Sequence, residues 1–272
     1  MLREWTGADA ASCVRAPGPD DDKYSRGVVA LCTGSAAYPG AAVLGVEAAW
    51  RTGAGYVRYL GGAADAVLAR RPETVASAGI GRTRPGAWVI GSGTDAAART
   101  AAETSALREV LAGDAPVVVD AGALDLADGA AAPLVLTPHA GELARLREQL
   151  GLPATDAGAD AAAETAERLG QVVLLKGART VIAAPGQHPV VVTAPTFWLA
   201  TAGTGDVLAG VIGALIAANP HLPLAEVAAS ASWLHGRAAA LAAGAGDGAV
   251  GHPIVALDVA EALPAAIAEL LA

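Results

Sequence analysis

Val117-Val118-Val119-Asp120-Ala121-Gly122, at residues 117–122, is a short β-branched run that ends in an aspartate and a glycine. Similar apolar runs recur along the chain, and segments of helical length separate several of them; the runs lie at 28–31, 56–60, 88–90, 134–136 and 172–175. Short continuous apolar runs are typical of parallel strands that are buried on both faces. Their alternation with helices predicts an α/β fold with a central, mostly parallel sheet flanked by helices.

Helical periodicity and one turn signal complete the predicted fold. Helices are expected at 41–52, 96–112, 141–151, 206–218, 224–243 and 257–271. Pro185-Gly186-Gln187-His188 separates two β-branched runs, 180–183 and 189–193, and therefore predicts a β-hairpin. Because no linker, repeat or low-complexity segment divides the sequence, we expect one domain over residues 1–272.

The composition argues against several classes of partner. A net charge of -9 provides no positive field for nucleic acid or an anionic membrane surface. The longest uncharged apolar run, 207–218, is shorter than the roughly 18 residues of a membrane span, and the N-terminus has no signal-peptide core. Cys13 and Cys32 lack metal-ligand spacing and fit a reducing compartment. We expect a cytoplasmic protein without a nucleic-acid or membrane partner.

The segment 199–210 is a glycine-rich turn that leads into an apolar helix. Gly203 and Gly205 allow close backbone approach, and the free N–H groups of a helix that starts near Thr204 would face a bound anion. The helix dipole is expected to hold Asp206 as a carboxylate, which could accept a proton from a substrate hydroxyl. The turn predicts a phosphate site with a base; an aspartate that only caps the helix is the alternative.

Polar or glycine-rich segments follow the predicted strands. Ligands of an open parallel sheet bind beyond the carboxyl ends of its strands, so these segments are expected to share a cleft. They are Gly34-Ser35, Gly91-Ser92-Gly93, Asp120-Ala121-Gly122, Thr137-Pro138-His139 and Lys176-Gly177.

Two of these segments suggest ligand contacts. Lys176 and Thr180 offer a positive charge and a hydroxyl to nucleotide phosphates or ribose, although a solvated loop lysine would look the same. His139 could bind a polar ligand, and Glu142 could reach a metal-bound water or cap its helix. This pair does not specify a protein metal site, and none is predicted.

The segment Gly91-Ser92-Gly93-Thr94-Asp95-Ala96 also matches a dinucleotide-binding fingerprint, with Asp120 as its acidic residue. By itself it indicates an NAD-dependent oxidoreductase, which would bind intact NAD and need no ATP. No Gly-x-Ser-x-Gly elbow or P-loop occurs, so neither a serine hydrolase nor an ordinary P-loop enzyme is supported.

In their order, these segments resemble the ADP- or ATP-dependent NAD(P)H-hydrate dehydratases of the ribokinase-like group. The similarity runs nearly end to end, and its anchors are Lys23-Tyr24-Ser25-Arg26-Gly27, Pro39-Gly40-Ala41-Ala42, Arg51-Thr52-Gly53-Ala54-Gly55, Asp120-Ala121-Gly122-Ala123-Leu124, Leu136-Thr137-Pro138-His139, Lys176-Gly177 with Thr180, and Gly203-Thr204-Gly205-Asp206.

The resemblance implies a three-layer α/β/α ribokinase-like fold and a hydro-lyase. Its substrate would be the S epimer of hydrated NADH or NADPH. Phosphate would pass from ADP or ATP to the ring hydroxyl, and its elimination would restore the dihydronicotinamide. Asp206 would be the base, and Gly203, Thr204 and Gly205 would form the anion hole.

Further roles follow from the resemblance. Ala41, Gly93 and His139, with Asp206, would contact the hydrated dinucleotide. Gly205 would hold the adenine nucleotide together with Lys176, Gly177, Ala178, Arg179 and Thr180. Mg²⁺ would bridge phosphates. Relatives are often homotetramers, and the chain has no room for the epimerase domain that some carry, so it would act on one epimer unless a separate protein interconverts them.

Two departures from the family pattern concern nucleotide geometry. Ala202 stands where many relatives have a second glycine, and 194–198 replaces an Asn-containing segment. The nearest alternative is a vitamin-precursor kinase for hydroxymethylpyrimidine or hydroxyethylthiazole, which would use the same Gly-x-Gly-Asp. The Thr137-Pro138-His139 segment, together with Lys176 and Thr180, favours the dehydratase. A non-catalytic nucleotide sensor is a further alternative, against which Asp206 argues.

Overall fold

A ten-stranded sheet forms the centre of the computed structural model, which describes residues 2–79, 84–246 and 248–272. The strands are β1 (Arg3–Glu4), β2 (Val28–Cys32), β3 (Tyr56–Tyr59), β4 (Val75–Ala76), β5 (Ala87–Ile90), β6 (Val117–Val119), β7 (Leu134–Leu136), β8 (Val172–Leu175), β9 (Arg179–Ala183) and β10 (Val190–Thr193). Their order is β1-β10-β9-β8-β7-β6-β5-β2-β3-β4. Neighbours from β8 to β4 are parallel, whereas β9 is antiparallel to both β8 and β10. The mostly parallel sheet and the hairpin are confirmed.

Helices cover both faces of this sheet. The α-helices are α1 (Gly7–Ala10), α2 (Pro39–Arg51), α3 (Ala64–Arg70), α4 (Ala101–Leu111), α5 (Ala140–Gln149), α6 (Ala159–Leu169), α7 (Thr204–Ala218), α8 (Leu224–Ala243) and α9 (Ala256–Leu271). Helices α2, α7, α8 and α9 pack on one face, and α4, α5 and α6 pack on the other. The three-layer α/β/α architecture is therefore confirmed.

Alternate residues of the central strands enter different cores. Val118 packs in the core that contains α2 and α7, whereas its neighbours Val117 and Val119 pack in the core that contains α4 and α5. All three valines are fully buried. A strand with an apolar layer on each face has no polar alternation, which is why its sequence reads as a continuous valine run.

Two glycines bring α7 close to its neighbours. A Cβ atom on Gly210 would collide with the backbone of Gly45 in α2, and one on Gly213 would collide with the side chain of Val89 in β5. From Val207 to Ala217 the helix is buried. This tight packing fixes the N-terminus of α7 relative to the carboxyl ends of the strands.

The structure departs from the sequence predictions mainly at short elements and one helix start. The predicted helix 96–112 begins only at Ala101, because Thr100 accepts a hydrogen bond from the Glu103 backbone and Glu103 caps Thr100 in return. Strands β1 and β4, two residues each, and helices α1, α3 and α6 were not predicted.

Two chain-wide features concern the thiols and the helices. Cys13 and Cys32 are free, and Cys13 is buried. Burial raises the pKa of both thiols, so neither has the lowered pKa of a reactive cysteine.

None of the helices within the described ranges is long and apolar enough to cross a membrane.

Candidate active site

Asp120 lies at the carboxyl end of β6 and joins three neighbouring strand ends. Its Oδ2 accepts a hydrogen bond from Ser92 Oγ at 2.8 Å. Its Oδ1 accepts from Thr137 Oγ1 and from Lys176 Nζ, both at 2.8 Å. The Gly34 N–H in turn donates to the Ser92 carbonyl at 2.7 Å. The structure therefore brings the five polar strand ends together, with Asp120 at their centre.

The backbone next to Asp120 is strained. Ala121 has a φ of 41°, and it is the one non-glycine residue with positive φ in the part of the chain that the structure describes. Gly91 has a φ of 94°, and a Cβ atom there would collide with the Asp120 carbonyl oxygen. Backbone strain of this kind is concentrated at functional sites.

Lys176 links this strand-end cluster to the glycine-rich turn. Its ammonium lies 3.8 Å from Glu142 Oε2 as well as 2.8 Å from Asp120, and 3.5 Å from where a Cβ atom on Gly205 would stand. Burial lowers the pKa of Lys176, but the hydrogen bond to Asp120 and the charges of Asp120, Glu142 and Asp206 together raise it by more, so the net shift is upward. A protonated lysine therefore sits beside the N-terminus of α7.

The glycine-rich turn has the geometry of an anion site. Gly203 has a φ of 90°, and a Cβ atom there would lie 2.6 Å from Leu44 Cδ1. The Thr204 hydroxyl donates to the carbonyls of Leu199 and Thr201, at 3.1 and 3.0 Å. Thr204 therefore holds the turn with its side chain and offers only its N–H to a ligand, as do the other residues of the first helical turn.

Asp206 lies in that first turn, and its pKa is raised to about 6. Burial is the main cause, the charge of Asp120 adds to it, and Lys176 acts in the opposite direction. From the sequence, the helix dipole was expected to hold Asp206 as a carboxylate, but that expectation did not take the burial of the side chain into account. A carboxylate with a pKa near 6 remains mostly ionised at pH 7 and is a better proton acceptor than an ordinary aspartate.

A first cavity of about 270 Å³ lies beside the glycine-rich turn. Of the residues predicted to bind a nucleotide or to form the anion hole, it is lined by Lys176, Gly177, Ala178, Thr180, Thr204 and Gly205. Arg179 does not line it, because Arg179 and Thr180 alternate in β9 and only Thr180 faces inward. Phe197, which is 79% exposed, and the buried Leu208 contribute apolar surface. An apolar cavity next to an anion site suits a nucleotide.

His235 also lines the first cavity, from α8. Burial lowers its pKa to about 4 and outweighs the opposite effect of the Thr204 backbone, so the ring is neutral at pH 7. Its Nε2 has no hydrogen-bonding partner among the described residues. Sequence reasoning missed this position, because a single histidine inside an apolar helix carries no signal of its own.

A second cavity of about 560 Å³ lies on the other side of Asp120. Gly93, Ala121, Gly122, Glu142 and Arg145 are among its lining residues. It shares no lining residue with the first cavity. Lys176, which lines the first cavity, lies 3.8 Å from Glu142, which lines the second.

Of the four residues assigned to the dinucleotide, Gly93 lines this second cavity, whereas Ala41, His139 and Asp206 do not. Ala41 and His139 adjoin residues that line it. A Cβ atom on Gly93 would collide with the Ala41 side chain, so these two positions are adjacent. The His139 side chain is 55% exposed, and its Nδ1 accepts hydrogen bonds from the Gly141 and Glu142 N–H groups. Glu142 Oε2 accepts from the His139 N–H at 2.8 Å, so Glu142 caps α5, one of its predicted roles.

Comparison with known proteins identifies the family. The family model described as NAD(P)H-hydrate dehydratase matches residues 29–252, which is most of the chain. The chain belongs to this family. Family membership does not support the oxidoreductase alternative, and neither does the geometry, since the acidic residue of the fingerprint, Asp120, is buried and occupied by Lys176.

Individual members of the dehydratase family are similar over most of the chain. The bifunctional NAD(P)H-hydrate repair enzyme Nnr of Mycobacterium leprae is 46% identical over 246 residues, 87% of this chain and 50% of that protein. The ADP-dependent (S)-NAD(P)H-hydrate dehydratase of Neisseria meningitidis is 37% identical over 244 residues, 83% of this chain and 80% of that protein. The chain spans about half the length of the mycobacterial relatives that it matches.

A solved structure of a family member has the same fold. The ADP/ATP-dependent NAD(P)H-hydrate dehydratase of Bacillus subtilis, co-crystallized with ATP/Mg²⁺, superimposes with a TM-score of 0.85 at 28% identity. The superposition covers 99% of both chains. This agreement confirms the ribokinase-like fold expected from the sequence.

Proposed function

We propose that this chain is a hydro-lyase that uses ADP or ATP to dehydrate the S epimer of hydrated NADH or NADPH. The observation that carries the proposal is the position of Asp206. It lies in the first turn of α7, next to the glycine-rich turn, and it interacts with the charges of Lys176 and Asp120. Lys176 and Gly205 line the first cavity, and Ala121, which follows Asp120, lines the second. The names of the Neisseria and Bacillus relatives support the same reaction.

Each part of the site has a role in this reaction. The first cavity would hold the adenine nucleotide, with its terminal phosphate against the N–H groups of Gly203, Thr204 and Gly205. The second would hold the dinucleotide against Ala41, Gly93 and His139. We propose that the ring hydroxyl of the bound dinucleotide lies next to Asp206.

The proposed chemistry has two steps. In the first step, Asp206 takes the proton of the ring hydroxyl, and the hydroxyl oxygen forms a bond to the terminal phosphorus of the nucleotide. The bond between that phosphorus and the departing nucleotide breaks at the same time. Lys176 and the turn N–H groups stabilise the charge on the phosphate oxygens. The carbon–oxygen bond then breaks, phosphate leaves with the electron pair, and loss of a proton from the neighbouring ring carbon forms the double bond of the dihydronicotinamide.

We propose Mg²⁺ as the metal of this reaction. No group of three histidine, cysteine, aspartate or glutamate side chains with metal-binding geometry is found in the described ranges. Single carboxylates such as Asp206 and Glu142 fit an ion that is held chiefly by the nucleotide phosphates and that they contact through water. Mg²⁺ retains several waters and needs few protein ligands. When bound, the ion neutralises phosphate charge.

The remaining expectations are part of the same proposal. We propose a cytoplasmic homotetramer that acts on the S epimer. Exposed aromatic side chains, Tyr24, Tyr38 and Phe197, are candidates for burial between subunits. Light scattering at several protein concentrations tests the assembly.

The test of the activity uses hydrated NADH as substrate. Purified protein and Mg²⁺ are mixed with it, ADP and ATP are added in parallel, and the returning dihydronicotinamide absorbance is followed. Nucleotide-dependent recovery is expected, with loss of recovery in Asp206→Asn. No recovery with either nucleotide, together with phosphorylation of hydroxymethylpyrimidine or hydroxyethylthiazole, would establish the kinase alternative.

A further inference from the structure

Arg145 is the basic side chain of the second cavity. It lies in α5, one turn after the N-terminal residues His139 and Glu142, and lines the cavity with Gly93 and Gly122. Its Nη1 is 3.8 Å from where a Cβ atom on Gly141 would stand, so the guanidinium extends back towards the start of the helix. The side chain therefore lies beside the predicted dinucleotide contacts.

The Arg145 side chain has neither an ion pair nor a hydrogen bond to any residue in the described part of the chain. Two arginines near the same face of the sheet have carboxylate partners: Arg99 pairs with Asp125 at 2.5 Å and Arg147 with Glu164 at 2.6 Å. Arg145 has no such partner among the described residues although it lines a cavity.

The carboxylates that line the second cavity already have partners. Asp125 pairs with Arg99, Glu142 Oε2 accepts from the His139 N–H, and Asp95 Oδ1 accepts from the Ala97 N–H at 2.9 Å. Because these acids are engaged elsewhere, the guanidinium is available to a ligand. Its planar donors match the oxygens of a phosphate group.

On the basis of the proposed function, we infer that Arg145 binds a phosphate group of the dinucleotide and so positions the substrate. The cavity is large enough for part of a dinucleotide. It also adjoins a third cavity of about 730 Å³, with which it shares Tyr38, Thr94 and Asp95. Arg145 would thus hold the substrate on the side remote from the adenine nucleotide.

The test compares wild type with Arg145→Gln, Arg145→Lys and the matched control Arg108→Gln. Arg108 is exposed on α4 and lines none of the cavities described above. Binding of NADH and NADPH is measured by titrating the fluorescence of the dihydronicotinamide, which requires no turnover. KM and kcat are measured for hydrated NADH, hydrated NADPH, ADP and ATP.

In Arg145→Gln we expect Kd and KM for the dinucleotide to rise about tenfold or more, the loss of one charge-assisted contact. The kcat and the KM for ADP or ATP should stay within about twofold. Arg145→Lys should be intermediate, and Arg108→Gln should match wild type. Equal effects with NADH and NADPH identify the pyrophosphate as the ligand, whereas an effect confined to NADPH identifies its additional phosphate.

Unchanged binding of both dinucleotides by Arg145→Gln overturns the inference and leaves the proposed function standing. If wild type binds reduced dinucleotide with an Arg145-dependent affinity but never turns over its hydrate, the proposed function fails and the phosphate contact remains. A wild-type protein that binds neither dinucleotide contradicts both.

Discussion

Lys176 Nζ lies 2.8 Å from Asp120 Oδ1, and both charges act on Asp206. Asp120 raises the pKa of Asp206, whereas Lys176 lowers it. Lys176 therefore provides a positive charge beside the proposed anion site, while Asp120 keeps the pKa of Asp206, the proposed base, from falling. The proton affinity of Asp206 depends on residues at the ends of two other strands.

Asp120→Asn tests this dependence. Removal of the Asp120 charge should lower the pKa of Asp206 below about 6, so the acid limb of the kcat–pH profile should move to lower pH. The kcat should also fall, because Lys176, Ser92 and Thr137 lose a charged partner. Asp128→Asn, at an exposed ion pair with Arg168, is the control and should leave the profile unchanged. An acid limb that stays in place would contradict the coupling.

Asp206→Asn should remove the base while leaving the nucleotide site formed. General-base catalysis contributes about 10²–10⁴-fold, so we expect a loss in kcat of that size with nearly unchanged affinity for ADP or ATP. Steady-state rates and a nucleotide titration measure the two. Retention of more than about a tenth of the wild-type rate, equivalent to under roughly 1.4 kcal/mol, would show that Asp206 is not the base.

The same substitution should stabilise the fold near neutral pH. The pKa of Asp206 is about 6 in the folded protein and near 3.8 when unfolded, so the unfolded chain loses this proton first as pH rises. The carboxylate therefore reduces stability progressively from about pH 4 to pH 6, and the reduction is complete above that range. We expect Asp206→Asn to have a higher Tm than wild type at pH 7.5 and an equal Tm near pH 4. An equal Tm at both pH values would mean that burial does not penalise the charge.

His235 should have the opposite influence on acid stability. Its pKa is about 4 in the folded protein against 6.5 for an unperturbed ring, so the unfolded chain binds the proton preferentially as pH falls through this window. His235→Gln should therefore lose less Tm than wild type between pH 7 and pH 4.5. His188→Gln, at an exposed position in the hairpin turn, is the matched control. Identical pH dependence in both variants would argue against a buried neutral His235.

Gly203→Ala combines a backbone penalty with a collision. An alanine at a φ of 90° is strained, and its Cβ would meet Leu44 and Ala256. Gly129→Ala isolates the backbone term, because Gly129 has a φ of 79° with nothing within 4 Å of a Cβ atom. We expect a destabilisation of about 1 kcal/mol at Gly129 with normal activity, a larger one at Gly203, and loss of nucleotide affinity only at Gly203. Equal effects of the two variants in chemical denaturation would exclude the packing role.

Apart from β1 and β4, the strands were predictable, as were the C-terminal helices, because their burial appears directly in the sequence. Val117–Val119 is a continuous apolar run because the strand is buried on both faces, and the helix Thr204–Ala218 is apolar over most of its length. The first residue of α4 could not be predicted, because hydrophobic periodicity does not reveal that Thr100 and Glu103 cap each other. Local hydrogen bonds of this kind decide helix ends.

The site was predictable as a set of strand ends, but its internal partners were not. The rule that ligands bind at carboxyl ends groups Asp120 with Lys176, yet it cannot say that Asp120 holds Ser92, Thr137 and Lys176 together. His235 lies at the first cavity because of the way α8 packs, and no local sequence pattern predicts that packing. Arg179 was assigned to the nucleotide by the resemblance, and the sequence could not show that its side chain is exposed and does not line the first cavity.

The two cavities share no lining residue, and this bears on the order of events in the proposed reaction. We expect a nucleotide and a dinucleotide to enter and leave their cavities independently, so that initial-rate data follow random-order kinetics. In the proposed reaction, a repaired dinucleotide would then depart from an enzyme that still carries its spent nucleotide.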